Sequence, residues 1–292
     1  MHHDISGVIA VNKPAGVTSR RVVDAVARAL GTKNVGHAGT LDPLATGVVV
    51  VCVGHATKLV DFVHQLPKHY EAMFLLGRSS PSDDLETPIT EEERPPRPTR
   101  AEIEQALPAF RGEILQRPCD YSAVHVDGKR AYALARKGRE VDLAEKSIRI
   151  DRLEITAYDW PRLGLDIACS SGTFVRAIGR DLAAALGTAA VMESLVRTAV
   201  GQFTLAQSLA LDDVSLETVR MAFLPPAVAA AHLPAFVLDG ETLARAIRGD
   251  LLDLDQPGAV LAAFDGAGDL VGMLRRHESG RHRLKPNFRG AG

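Results

Sequence analysis

The chain has 292 residues, of which 46% are hydrophobic and 24% charged, and its formal net charge is -2. This composition indicates a globular protein of one or two domains that is not basic throughout, and its apolar runs are too short to cross a membrane. Its three cysteines are far apart and form no C-x-x-C pair, so we expect no metal site and no disulfide framework. The N-terminus has no signal-peptide pattern, and we therefore expect a reduced cytoplasmic setting.

The first predicted elements are a short strand and a helix. Residues 7–11 are apolar and predict a strand. A turn follows, in which Thr18 or Ser19 can cap a helix whose apolar stripe runs to Gly31. Lys13 lies in this turn, and from the residues alone it is most simply a surface lysine.

The next segment, residues 36–47, holds three glycines, one proline and a single carboxylate, Asp42. Such a run cannot form the interior of a helix or a strand. The β-branched residues 48–53 follow at once and predict a strand that is buried on both faces. A loop held by a buried strand is a common place for a catalytic group, although Asp42 could instead simply bond a backbone N–H of a tight turn.

The middle of the chain changes character twice. Residues 69–76 predict a strand with Tyr70 near its start. Residues 78–98 are rich in proline and carboxylates, and they predict an exposed, partly mobile insertion with a solvated surface. Thr99-x-x-Glu102 then predicts a capping box that opens a helix.

A second group of elements follows. Residues 130–137 predict a helix, and residues 147–158 and 163–169 predict two strands. The small-residue turn after them opens another helix, with Arg176 in its first turn. A cation at that position opposes the helix dipole, so we expect a carboxylate or phosphate partner for Arg176, the alternative being an exposed side chain.

The end of the chain predicts a separate unit. Prolines and alanines punctuate the sequence up to residue 235, where we place a domain boundary. Beyond it, residues 250–254, 259–264 and 270–274 predict the short strands of a small β domain. Residues 275–289 hold six Lys or Arg against one Glu, which is typical either of a segment that binds polyanions or of a solvated basic tail.

Taken together, the motifs resemble those of the bacterial tRNA pseudouridine synthase B family. The resemblance extends from about residue 7 to residue 203, and the segment around Asp42 is its longest and most specific part. The matching motifs are Lys13-Pro14-x-Gly16-x-Thr18-Ser19, Gly36-His37-x-Gly39-Thr40-Leu41-Asp42-Pro43-Leu44-Ala45-x-Gly47-Val48, Lys68-x-Tyr70, Tyr121-Ser122-Ala123, Gly128-Lys129 with Tyr132, Cys169-Ser170-x-Gly172-Thr173-Phe174-x-Arg176 and Arg197-Thr198-x-x-Gly201-x-Phe203.

This resemblance implies a fold and an activity. The fold is an α+β catalytic domain around a mixed, mostly antiparallel sheet, here residues 1–235, followed by a small β-rich PUA-like RNA-binding domain, residues 236–292. The activity is the isomerisation of one uridine, at position 55 in the T-loop of tRNA, to pseudouridine. It implies no metal, no cofactor and no obligatory protein partner, and we expect a monomer.

The resemblance also implies roles for single residues. Asp42 is the nucleophile, Arg176 is its ion-pair partner, and Tyr70 stacks on the target base. The other residues either contact the substrate (His37, Phe174 and Leu195) or support the site (Lys13 and Gly39). An ionised carboxylate can add to C6 of the base or to C1′ of the ribose, and the sequence leaves this choice open.

Some positions depart from the family pattern. Phe174 stands where tyrosine is common, Val196 replaces a usual arginine, and residues 77–84 lack a threonine-rich run. None of these changes touches Asp42, Tyr70 or Arg176. Two other functions remain open, namely an RNA-binding or RNA-folding protein on the same scaffold and a pseudouridine synthase that acts on another RNA.

Overall fold

The computed structural model describes residues 5–122, 125–126, 129–132, 143–256 and 258–289. The strands are β1 (Gly7–Lys13), β2 (Val35–His37), β3 (Thr46–Val53), β4 (Lys68–Leu76), β5 (Arg78–Ser79), β6 (Thr90–Glu91), β7 (Gly112–Gln116), β8 (His125–Val126), β9 (Lys129–Arg130), β10 (Lys146–Asp159), β11 (Arg162–Cys169), β12 (Ala190–Val200), β13 (Phe203–Thr204), β14 (Leu209–Ala210), β15 (Ala235–Val237), β16 (Val260–Phe264), β17 (Leu270–Arg276) and β18 (His282–Asn287). The α-helices are α1 (Ser19–Leu30), α2 (Val60–Gln65), α3 (Arg100–Ala106), α4 (Val175–Ala185), α5 (Leu216–Ala222) and α6 (Gly240–Arg248). Within the described ranges, no helix has both the length and the apolar character that crossing a bilayer requires.

A ten-stranded sheet dominates the fold. Its order is β14-β1-β3-β12-β4-β11-β10-β7, with β2 added to β3 and β13 added to β12. Only β1 with β14 and β3 with β12 run parallel; the other neighbours in this sheet are antiparallel. The expected mixed, mostly antiparallel sheet is therefore confirmed.

Strand β3 is buried on both faces, as its composition predicts. Each residue from Val48 to Val53 is 0% exposed. Because side chains alternate along a strand, Val48, Val50 and Cys52 pack into one apolar cluster, while the residues between them pack into another. Burying each valine contributes roughly 1.5 kcal/mol or more, so β3 gives the Asp42 loop a rigid anchor.

The predicted helix ends are confirmed. The Thr18 hydroxyl accepts a hydrogen bond from the Arg21 amide (3.3 Å), and α1 is followed by Gly31 in the left-handed region, with φ 64°. At α3, Thr99 and Glu102 form the reciprocal capping box. These contacts satisfy donors that the first turn of each helix leaves free.

The expectation that residues 78–98 form a solvated surface is wrong for the centre of that segment. Strands β5 and β6 pair with each other, and between them Ser82 is 0% and Asp84 1% exposed. Polar side chains are buried there because they are paired. The Asp84 carboxylate accepts from the Ser82 hydroxyl (2.5 Å) and the Glu86 amide (2.9 Å), and Asp83 forms an ion pair with Arg180 of α4 (3.0 Å).

The helix predicted for residues 130–137 falls mostly outside the described residues. Within them, Arg130 belongs to β9, which pairs with β8. Helical geometry begins only at Ala131, so the prediction is wrong for Arg130.

The unit beyond residue 235 is a four-stranded sheet in the order β15-β16-β17-β18. The expected strands at residues 259–264 and 270–274 are confirmed as β16 and β17. The prediction of a strand at residues 250–254 is wrong, because within that range the structure has a single isolated bridge, from Leu252 to His282. Helix α6, which the sequence pattern does not predict, ends at Gly249 with φ 89°.

This unit has an apolar core of its own and also shares one with the large sheet. Its own core is built from Leu238, Ala246, Leu252, Leu261, Ala263, Val271, Leu274 and Leu284. In addition, Ala262 and Met273 join the apolar cluster that contains Val48, and the Arg275 guanidinium lies 5.1 Å from the ring centroid of Phe62. The boundary near residue 235 and the PUA-like character of the unit stay predictions.

The contact between α4 and the sheet generates a stability prediction. A Cβ atom on Gly179 would lie 2.1 Å from Cε1 of the fully buried Phe74. Alanine usually stabilises a helix by about 0.5–1 kcal/mol relative to glycine. Here we expect Gly179→Ala to lower the free energy of unfolding by about 1–3 kcal/mol, because the ring must move.

Urea-induced equilibrium unfolding measures this change. Gly266→Ala is the control, since Gly266 is exposed and a methyl group there would have no heavy atom within 4 Å; its effect should stay within about 0.5 kcal/mol. A Gly179→Ala protein as stable as the wild type would contradict the close packing of α4 on β4.

Candidate active site

The Asp42 loop, residues 38–45, connects β2 to β3. Gly39, three residues before Asp42, has φ 99°, and Gly47, the second residue of β3, has φ 106°, a region where residues with a side chain are strained. Gly47 also permits close packing with β12, because a Cβ there would lie 2.2 Å from the Arg197 carbonyl oxygen. The loop therefore has a shape that depends on glycine at both points.

Two side chains hold the loop on either side of Asp42. The Ser19 hydroxyl accepts from the Leu41 amide (2.8 Å) and donates to the Leu41 carbonyl (3.1 Å). Lys13 Nζ donates to the Pro43 carbonyl (3.3 Å) and to two carbonyls of its own turn (2.9 Å each). Burial lowers the Lys13 pKa to about 8, and the charge of Asp42 opposes this fall. Lys13 is 0% exposed, so its interpretation as a surface lysine is wrong.

Arg176 lies between two carboxylates. Its Nη2 is 3.2 Å from Asp42 Oδ2, and its Nη1 is 3.2 Å from Asp84 Oδ2. The same nitrogens donate to the main-chain carbonyls of Ser82 (2.7 Å) and Tyr121 (2.9 Å). The guanidinium is 6% exposed, and a buried cation is tolerated when its hydrogen bonds are satisfied in this way. Arg176 thus has the anionic partner that its place in the first turn of α4 predicts.

Opposing effects act on the Asp42 carboxyl. Burial raises its pKa, Arg176 lowers it, Asp84 raises it further, and Lys13 lowers it. The net direction is upward. The Asp42 side chain is still 38% exposed, so water moderates the effect of burial. Ionisation of Asp42 consequently depends on the arginine beside it.

A cavity of about 140 Å³ opens next to this ion pair. Five of the residues predicted from the sequence line it, namely Asp42, Tyr70, Phe174, Arg176 and Leu195. The remaining wall consists of Thr40, Leu41, Ser122, Thr173 and Val175. One ion pair therefore stands in a wall that is otherwise aromatic, aliphatic or hydroxylic.

Tyr70 forms a buried side of the cavity, with 8% of its surface exposed. It lies on β4, between β11 and β12. Burial raises the pKa of its phenol, while the charge of Arg197 opposes the rise. Tyr70 is therefore a neutral, flat group at ordinary pH.

The structure places the other predicted residues outside the cavity wall. His37 ends β2 and is half-buried. Burial first, and then the charge of Arg197, lower its pKa, so the imidazole is neutral at pH 7. Lys13 and Gly39 lie in the support of the loop. The catalytic and binding roles of all these residues stay predictions.

Sequence reasoning missed several residues of the site. Ser122 and Thr173 lie within matched motifs, so their neighbours could have directed attention to them. Asp84 had no such signal, because it stands in a segment whose composition is typical of solvated loops. Its partner Arg176 is far away in the chain, and only the fold brings the two together.

The pair of carboxylates generates a prediction about pKa. We expect Asp84→Asn to lower the pKa of Asp42, because the like charge that raises it disappears and Arg176 is left with one carboxylate. Carbon-detected NMR titration of the carboxyl groups measures the shift. Asp166→Asn, which removes an exposed ion pair with Arg152, is the control and should leave the Asp42 pKa unchanged. An unchanged or higher Asp42 pKa in Asp84→Asn would contradict the coupling.

Comparison with known proteins gives a consistent result. The family model described as "TruB family pseudouridylate synthase (N terminal domain)" matches residues 27–175. A protein named tRNA pseudouridine synthase B from Mycobacterium tuberculosis is 38% identical over 273 residues, which cover 92% of this chain and 91% of that one. The protein of that name from Caulobacter is 42% identical over 250 residues, with 84% and 80% covered.

Solved structures are similar in fold. The chain matches a structure described as an archaeal box H/ACA sRNP Nop10–Cbf5 complex with a TM-score of 0.74 and 22% identity, covering 99% of this chain and 88% of that one. At this identity the match shows a common fold alone. The family model and the relatives identify the chain as a member of the TruB family of pseudouridylate synthases.

Proposed function

We propose that this protein isomerises uridine to pseudouridine at position 55 in the T-loop of tRNA, with Asp42 as the nucleophile. The observation that carries the proposal is the Asp42 carboxylate, 3.2 Å from Arg176, in the wall of a cavity that Tyr70 also lines. Relatives named tRNA pseudouridine synthase B that cover most of the chain support tRNA as the substrate.

The reaction explains why an ionised carboxylate is needed. The C1′–N1 bond breaks, the base turns, and a C1′–C5 bond forms; the proton on C5 leaves and N1 ends protonated, so the product is an isomer of the substrate. Asp42 can add to C6 or to C1′ and leaves again as a carboxylate. Either route requires the ionised form, which Arg176 favours. No metal or cofactor is required by this chemistry.

The cavity wall suits a base that has left its stack. The ring atoms of a stacked base are hidden, so the nucleotide must be flipped out before the carboxylate can reach it. Tyr70 and Phe174 offer aromatic surfaces, and Leu195 an aliphatic one. We assign stacking on the base to Tyr70, and to the uncharged His37 a wedge role that favours flipping.

We further propose that residues 236–292 are a PUA-like unit that contacts the tRNA backbone, and that the protein acts as a cytoplasmic monomer without an obligatory protein partner. The support for the RNA contact is a set of exposed basic residues in or next to β17 and β18, namely Arg276, Arg281, Arg283 and Lys285. Arg289 differs, because it binds Asp265 (2.6 Å) and Asp269 (3.1 Å).

The nucleophile is tested by Asp42→Asn. An amide is nearly isosteric but cannot act as the nucleophile, so we expect pseudouridine formation to fall below detection while the Kd for unmodified tRNA changes less than about threefold, or 0.7 kcal/mol. Chemical mapping of pseudouridine gives both the product and its position. Asp159→Asn, an exposed change at the end of β10, should behave as the wild type.

Each result of this experiment is informative. Turnover by Asp42→Asn would reject Asp42 as the nucleophile. A wild-type protein that binds tRNA but forms no pseudouridine would favour an RNA-binding or RNA-folding protein. Modification only of another RNA would favour a pseudouridine synthase with a different substrate.

The role of these exposed basic residues is tested by the salt dependence of binding. Replacing Arg276, Arg281 and Arg283 together by Gln should reduce the slope of log Kd against log salt concentration by about 0.9 for each phosphate that is no longer neutralised. The single-turnover rate at saturating tRNA should not change. Arg289→Gln, whose guanidinium is held by two aspartates, should keep the wild-type slope. Equal slopes for the triple variant and the wild type would show that these three residues do not contact phosphate.

A further inference from the structure

Arg197 of β12 is a buried cation beneath the Asp42 loop. It is 1% exposed, and each nitrogen of its guanidinium donates to a main-chain carbonyl. Nε donates to Val48 (2.7 Å), Nη1 to Thr40 (3.3 Å) and Nη2 to Gly39 (3.1 Å). Among the described residues, no Asp or Glu lies within 4 Å of its guanidinium to form an ion pair.

Arg197 binds a part of the Asp42 loop that Ser19 and Lys13 do not bind. Ser19 and Lys13 bind Leu41 and Pro43, the two residues that flank Asp42. Arg197 instead binds two residues near the start of the loop and, through Val48, the strand that follows it. A planar guanidinium with several donors fixes the relative positions of its acceptors better than a single ammonium does.

The same guanidinium also reaches Tyr70. Arg197 on β12 and Tyr70 on β4 are direct partners in the antiparallel register of the two strands. The positive charge of Arg197 also opposes the rise that burial causes in the pKa of the Tyr70 phenol. One buried side chain therefore binds the loop that carries Asp42 and lies beside the residue whose ring lines the cavity.

We propose that Arg197 is a positioning residue, which holds the Asp42 loop and the Tyr70 ring in one fixed relative geometry for the reaction. This inference rests on the function proposed above. The reacting atoms must be aligned within a fraction of an ångström, and a misplacement of about 1 Å can cost about a hundredfold in rate. Arg197 itself does not line the cavity, so it acts through the residues that it holds.

Arg197→Lys tests the proposal, because it keeps the charge and removes the planar fork. We expect the single-turnover rate constant at saturating tRNA to fall by about 10- to 100-fold, which corresponds to about 1.4–2.7 kcal/mol, while Kd changes less than about threefold. A loss of folded protein would lower the amplitude of the single-turnover reaction and leave its rate constant unchanged. The rate constant therefore separates positioning from stability.

The control is Arg111→Lys. Arg111 also donates two guanidinium hydrogen bonds to a main-chain carbonyl, that of Leu153 (3.2 and 2.7 Å), but lies outside the cavity wall. Its replacement should leave the rate constant unchanged. Hydrogen exchange adds a readout that does not depend on activity: peptides covering residues 38–45 should exchange at least about threefold faster in Arg197→Lys, and peptides covering α3 should not.

If Arg197→Lys does not fold, Gly39→Ala tests the same contact from the loop. A methyl group on residue 39 would lie 3.6 Å from Arg197 Nη1, which is an ordinary contact, but φ 99° is strained for alanine. The backbone should therefore relax and move the carbonyl of residue 39 away from the guanidinium. We expect the rate constant to fall by a similar factor. A wild-type rate constant and wild-type exchange of the loop in these variants would overturn the inference. A wild-type protein that forms no pseudouridine would overturn the proposed function instead, and loop exchange would still decide whether Arg197 positions the loop.

Discussion

The ion pair between Asp42 and Arg176 in the cavity wall is the interaction on which the rest of the site depends. Burial raises the pKa of Asp42, and Arg176 opposes this. That arginine is itself buried, and Asp42 alone, with 38% of its side chain exposed, gives it only one anionic partner. Asp84 supplies a second partner, although it also repels Asp42. The segment between β5 and β6 is therefore part of the site, because it completes the environment of Arg176.

Buried cations around the loop divide into two kinds according to their partners. Arg176 binds two carboxylates in addition to two main-chain carbonyls, and so acts on the Asp42 side chain. Lys13 and Arg197 bind main-chain carbonyls of the loop and so act on its backbone. Carbonyl oxygens satisfy the donors without neutralising the charge. The positive charge of Lys13 consequently remains available to favour the ionised form of Asp42, which it does. Loop geometry and the charge state of the carboxylate are thus supported by the same group of buried side chains.

Local signals in the sequence account for much of the fold and for the centre of the site. The β-branched run predicts β3, and a hydroxyl cap and a glycine predict the two ends of α1. The arginine in the first turn of α4 predicts an anionic partner. What could not be predicted is pairing over long distances in the chain. Arg176 bonds to Ser82, 94 residues away, and the polar composition around Ser82 is that of a solvated loop. From the residues alone the burial of Lys13 was missed for the same reason, since nothing next to it in sequence shows that the Pro43 carbonyl, 30 residues away, will accept a hydrogen bond from it. Only the family resemblance assigned Lys13 to the support of the site.

The fold gives the charges of the basic run, residues 275–289, different surroundings that a count of charges in the sequence does not distinguish. Of its six Lys or Arg, Arg289 is engaged by aspartates and Arg275 lies over the Phe62 ring. Along β18 the exposed Arg283 and Lys285 alternate with buried residues that face the core, as the two-residue period of a strand requires. The pairing of β18 with β17 and its buried residues fix the register of these charges. Much of the basic run is therefore part of a paired sheet rather than a loose tail, and Arg283 and Lys285 stand at a fixed spacing that a phosphate backbone would have to match.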